Sequence, residues 1–233
     1  MPTKKKPTAT SRPGRRPELL AIAAEVFAAQ GYDATTVRGI ADEAGMLAGS
    51  LYHHFDSKES MVDEILSDFL AGLRAAHDTV LDAGLGPRET LEALVTETLH
   101  HIGRHRAAAA IYRTEAPRLA TRPGFQHLAD AQPVFERALT RTLERGVADK
   151  EFRTDLDTGP AGRLVHDAVW GTATWHRPGD RPDLGDAPGQ GDAPGQGDAA
   201  GRGDPPGPAD VPAPADLARP YLALLLDGLA PRA

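Results

Sequence analysis

An all-α fold is predicted by three features of the chain. Apolar residues recur at spacings of three and four along most of its length, Gly or Pro closes most of these stripes, and the few β-branched residues never alternate long enough for a strand. About nine helices result. In the first, over 17–30, Leu20, Ala23, Ala24, Phe27 and Ala28 form the stripe, Pro17 suits the first turn and Gly31 the stop. Thr35 or Thr36 caps a short second helix, whose Val37, Ile40, Ala41 and Ala44 face inward and which Gly45 breaks. A third short helix covers 48–54, with Leu51 and Phe55 on its apolar side. Asp56 or Ser57 caps a long fourth helix carrying Val62, Ile65, Leu66, Phe69, Leu70 and Leu73.

Leu91, Leu94, Val95, Leu99 and Ile102 mark the fifth helix. The sixth, over 105–116, ends at Pro117, and the seventh, over 124–147, stops near Gly146. The eighth runs over 158–177 to Pro178, with Leu164, Val165, Ala168 and Val169 inward. From Gly185 the chain reads GDAPGQ, GDAPGQ, GDAAGR, GDPPGP, a hexapeptide without an apolar anchor. Such a stretch cannot offset its ordering entropy by burial, so 179–212 is expected to be a disordered loop. Its aspartates recur every six residues, but the nonapeptide pattern of calcium-binding repeats is missing. Order resumes near Pro214 in a last helix that is apolar on most of its surface. It must be covered, partly by its own domain and partly by a second subunit.

The formal net charge is -7, which excludes a uniformly basic nucleic-acid coat. The charge is uneven, however. Residues 1–16 carry Lys4, Lys5, Lys6, Arg12, Arg15 and Arg16 and no acid. They read as a disordered basic arm, either solubilising or able to follow a phosphate backbone. There are no cysteines, no secretory leader and no run long enough to span a membrane, so a soluble cytoplasmic protein is expected.

Two short helices joined by a Gly-containing turn describe a helix-turn-helix, whose second helix enters the major groove by its N-terminal end. That helix begins LAGSLYHHF. Ala48 and Gly49 are small, Ser50 can bond a base edge or phosphate, and Tyr52 and His53 lie away from Leu51 and Phe55. Lys58, at the start of the next helix, is placed to attract an anion. The adjacent histidines diverge by about 100 degrees around a helix, so they are poor chelators and no metal or cofactor is expected. An enzyme using His53, His54 or His166 as a base lacks an acid or nucleophile at a useful spacing. A nonspecific architectural DNA protein would need a broad basic surface.

The stretch TTVRGIADEAGMLAGSLYHHFDSKESMVDEIL, preceded by AAEVFAAQGYDA, resembles the N-terminal domain of TetR-family transcriptional repressors. The resemblance implies a DNA-binding domain over 17–57 and a ligand-binding and dimerisation domain over 58–233. It implies a homodimer on an inverted-repeat operator of double-stranded DNA, released by a small-molecule effector, with no catalysis. Thr36, Tyr52, His53 and Lys58 match positions that contact phosphates; Ala48, Gly49 and Ser50 match the base-reading end. A second similarity, carried by AAAAIYRTEAPRLATRPGF, EFRTDLD and DAVWGTATWHRPG, is to the actinobacterial KstR-type repressors of cholesterol catabolism. It implies a coenzyme A thioester of a steroid fragment as effector and a ligand wall at Trp170. His166 stands where that subgroup is expected to have an arginine; Arg113, Arg118 and Arg163 are further candidates for an anion contact, each more readily read as a surface salt-bridge residue. Either histidine or tryptophan is equally a packing residue, and a free lipophilic effector, with control of an efflux or lipid-metabolism gene, is the competing reading.

Overall fold

Of the two threonines that could cap the second helix, Thr36 does so: its Oγ1 accepts the Gly39 N–H at 3.0 Å, and α2 (Val37–Glu43) follows. In a computed structural model residues 15–175 and 218–231 are described; the basic stretch before them and the hexapeptide repeat lie outside the described residues. The remaining elements are α1 (Arg15–Gln30), α3 (Ala48–Leu51), α4 (Lys58–Asp82), α5 (Pro87–Arg104), α6 (Arg106–Leu119), α7 (His127–Ala148), α8 (Thr158–Gly171) with a 3-10 turn at Thr172–Trp175, and α9 (Ala218–Leu229). The described residues contain no strand, and none of their helices is long and apolar enough to cross a membrane.

Local chemistry sets the boundaries. Ser57 and Ser60 form a reciprocal capping box that starts α4. Gly31, at φ +78°, ends α1 in the left-handed conformation, with its N–H bonded to the Phe27 carbonyl at 2.9 Å. The residue after it, Tyr32, then stacks on Phe27. Gly45, at φ +64°, makes the turn between α2 and α3.

Several expectations are corrected. Helix α1 starts at Arg15, so Arg15 and Arg16 leave the basic arm: Arg15 pairs with Glu18, and Arg16 bonds Glu64 and the His54 carbonyl while lying over the Phe55 ring. Its buried stripe includes Leu19 and Val26, while Leu20 and Ala28 are only half-buried. Helix α3 is a single turn, continued to Phe55 by turn-type bonds. Pro117 does not end α6 but lies inside its last turn, where it offers no N–H to the carbonyl four residues back. Gly146 does not stop α7; a Cβ there would stand 2.0 Å from the Phe152 ring, so glycine is the socket for a fully buried phenylalanine. Helix α8 ends at Gly171, and Leu164 and Ala168 point outward while Val165, His166, Val169 and Trp170 are buried.

The core binds both halves into one cluster from Leu19 in α1 to Leu229 in α9. Helix α8 lies close on α7 because Gly162 has no Cβ; one would meet Thr140 Oγ1 at 2.5 Å. Leu226 and Leu229 of α9 are buried, whereas Leu224 is 78% exposed and Leu164 of α8 is 70% exposed.

Candidate nucleic-acid interface and ligand cavity

At the leading end of α3 only Ala48 packs against the core; its neighbours Leu47 and Gly49 face solvent. Gly49 is exposed, and a Cβ there would have open space around it, so no internal contact requires glycine. Ala48 and Ser50 are half-buried, and Tyr52 and His53 are exposed. Leu47, the residue before α3, is 80% exposed. An apolar side chain held this far into water was not singled out from the sequence; its position beside the small residues was the available signal. Thr36 is exposed as well, its oxygen engaged by the cap but its O–H free to donate outward. Between 15 and 58 there are four basic and six acidic residues, so this domain is not itself basic.

Lys58 departs from expectation. Its ammonium donates to the Tyr32 carbonyl at 2.9 Å and the Thr35 carbonyl at 3.0 Å, and sits 4.3 Å from the Tyr32 ring centre. Two of its three N–H groups thus hold the turn between α1 and α2. Tyr32 is the centre of this knot. It is 1% exposed, and its hydroxyl donates to Glu59 at 2.6 Å. Burial, then that bond, pushes the phenol up to about 12, while the same bond helps hold Glu59 below the usual carboxylate range.

From the other side α6 and the turn that follows it grip the same segment. Arg118 bonds Asp33 and Glu115, Arg122 donates to Asp33 at 3.1 Å, and Glu115 accepts the Tyr32 N–H at 3.4 Å. The paired guanidiniums hold Asp33 below the usual carboxylate range. The opposite face of α6 borders a cavity of about 270 Å³, whose walls include Tyr112, Arg113, Ala116 and Pro117. His166 and Trp170 line it from α8, so Arg113, His166 and Trp170 meet at one cavity, whereas Arg118 is paired with Asp33 and Glu115 and Arg163 lines a separate groove.

Trp170 is 3% exposed and packs at ring-centre distances of 5.0 Å on Tyr112, 6.0 Å on Phe69 and 6.3 Å on Phe135. His166 is 7% exposed; its Nδ1 lies 3.2 Å from Asp167 Oδ1, and its Nε2 is buried with no partner among the described residues. Arg113 is exposed at the rim. The side chain of Trp175 lies outside the described residues. Tyr112, whose hydroxyl burial raises to about 12, was not picked from sequence because it reads as one more core aromatic.

Residues 19–65 match the family described as bacterial regulatory proteins, tetR family, and residues 84–182 match the tetracyclin repressor-like C-terminal domain. The HTH-type transcriptional repressor KstR2 of Rhodococcus jostii is 48% identical over 170 residues, covering 73% of this chain and 83% of that protein. The KstR2 of Mycobacterium tuberculosis is 44% identical over 165 residues, covering 71% and 82%. The solved structure of the ketosteroid transcriptional regulator KstR2 of Mycobacterium tuberculosis superposes with a TM-score of 0.76 at 35% identity, over 96% of this chain and 99% of that one.

Proposed function

The chain belongs to the TetR family of bacterial regulatory proteins and is a transcriptional repressor homologous to KstR2, and from that premise we propose a cytoplasmic homodimer that leaves an inverted-repeat operator when a coenzyme A thioester of a steroid-derived acid enters the Trp170 cavity. The observation that carries the effector reading is the meeting of Arg113, His166 and Trp170 at one cavity that is aromatic on its inner side and carries Arg113 and Asp167 at its rim. A partnerless buried Nε2 on His166 asks for a hydrogen-bonding group in the ligand, not for a plain hydrocarbon.

On DNA, Leu47, Ala48, Gly49 and Ser50 lead α3 into the major groove. Leu47 offers an apolar contact to a thymine methyl and Ser50 a hydroxyl to a base edge. Thr36, Tyr52 and His53 donate to phosphates. Lys58 acts mainly by fixing the Thr35–Thr36 backbone, with one N–H left for the phosphate expected of it. The basic residues before Arg15 supply most of the counterion release, because the described domain is not basic.

Release follows from α6. The helix that walls the cavity with Tyr112 and Arg113 also holds Asp33 through Arg118 and the Tyr32 N–H through Glu115, beside the α2 cap. A ligand that shifts α6 therefore displaces α2 and α3 in each protomer, and the half-site spacing is lost. Leu164 and Leu224, exposed on α8 and α9, supply the apolar surface of the dimer.

The test is operator release by cyclohexanecarbonyl-coenzyme A, a ring-bearing thioester, from wild type and from Arg113→Ser and His166→Gln. Both variants should hold the operator as wild type does and need about tenfold more thioester for release. Release by the free acid alone at lower concentration than by the thioester would point to a lipophile sensor instead.

A further inference from the structure

We infer that the cleft between α4 and α7 is a phosphate-binding subsite, which takes the nucleotide end of a coenzyme A thioester whose acyl end lies in the Trp170 cavity. This rests on the effector reading above. A cavity of about 270 Å³ is small even for a drug-sized ligand, so it accommodates a ring-bearing acyl group and leaves the nucleotide to be held elsewhere. The cleft has about 500 Å³.

Its chemistry is that of a polyanion site. Arg137, Arg141 and Arg145 follow each other at intervals of four along α7, a row of about 12 Å at 1.5 Å per residue. Arg74 joins them from α4, and the acid among the lining residues, Asp78, already faces Arg74 at 3.7 Å. Arg145 donates to the Leu85 carbonyl at 3.1 Å. Arg137 and Arg141 have no hydrogen bond or ion pair among the described residues, although Glu136 and Glu144 line the shallower groove on their other side. Guanidinium forks left unpaired beside one another in an acidic chain repel, and a ligand with several phosphates relieves that repulsion while filling the forks.

The cleft also leads toward the Trp170 cavity. A gap of about 10 Å³ lies between them and is lined by residues of both, His77 and Phe135 from the cleft and His166 and Trp170 from the cavity. Phe135 is the partition, stacked on Trp170 and edge-on to His77 at 5.2 Å. His77 is 5% exposed. Thr98 donates its hydroxyl to the Leu94 carbonyl at 2.7 Å, so it accepts from His77 Nε2 at 2.7 Å. That assigns the proton to Nε2 and leaves Nδ1 a bare acceptor, buried without a partner among the described residues. An amide N–H of the arm that joins nucleotide to thioester satisfies it once Phe135 turns aside.

The test is calorimetric titration of the full-length protein with cyclohexanecarbonyl-coenzyme A and with cyclohexanecarboxylate, for wild type and for Arg137→Ser/Arg141→Ser. Both arginines are exposed and unpartnered, so the double variant should fold and melt as wild type. The thioester should bind the variant at least about tenfold more weakly and with a flatter salt dependence, while the free acid binds both alike. Equal thioester binding by the two proteins would overturn the subsite and leave the effector reading standing. Thioester binding no tighter than that of the free acid, even by wild type, would overturn both.

Discussion

Trp170 illustrates how wall and wedge coincide in one residue. It lines the cavity, yet its ring also holds Phe69, Tyr112 and Phe135 together across four helices. Removing it to alanine would cost roughly 3–5 kcal/mol and confound binding with folding. Trp170→Phe keeps the packing and should weaken effector release while apo operator affinity, measured by anisotropy, stays within about twofold of wild type. Lys58 shows the reverse confusion. Lys58→Met removes the donor to two carbonyls, so it should lower unfolding free energy by about 2–3 kcal/mol, read by urea melts. Its effect on the salt slope of operator binding should be less than about one unit. His77 sets a pH dependence. Burial first, then the neighbouring His101, holds it down at about 4, against 6.5 for the free side chain. The unfolded chain therefore takes up protons before the folded one. Stability is full above about 6.5 and falls as pH descends toward about 4, by about 3 kcal/mol from this group. His77→Gln should flatten the decline of the urea midpoint between pH 7 and 5.

At the scale of elements, α6 is the piece whose two faces do different things. Arg118→Ala cuts the tie to Asp33 without touching the cavity. It should leave thioester binding unchanged but require more thioester to release the operator, a separation visible by running calorimetry beside anisotropy. The sequence made the helices legible because their apolar stripes are regular, and it made α3 legible because LAGSLYHHF combines small and polar residues on a short turn. It misread Gly146 and Pro117 as stops, since a glycine socket and a tolerated proline look like helix ends until the neighbouring Phe152 and the last turn are seen. The Tyr32 knot was hidden for a different reason: its partners Glu59, Glu115 and Arg122 are up to ninety residues away and read as ordinary surface charges. Arg113, His166 and Trp170 are legible in the sequence only as spaced side chains, and the cavity they line required the fold. Leu164 and Ala168 read as inward because periodicity cannot distinguish a core face from an exposed apolar face.

For the whole molecule, the proposal joins two chains and two ligands to one operator. The exposed Leu164 and Leu224 give the dimer its test: Leu164→Glu/Leu224→Glu should yield a folded monomer by light scattering that no longer retains the inverted repeat. The absence of cysteines offers the most direct test of the central claim, since one introduced thiol is labelled uniquely. Asp42→Cys puts a spin label on the exposed face of α2 in each protomer. Pulsed dipolar spectroscopy of this protein should give one inter-protomer distance without ligand and a distance longer by several ångströms, about one helical turn or less, when cyclohexanecarbonyl-coenzyme A is added. An unchanged distance with the thioester bound, or no inter-protomer distance at all, would contradict the account.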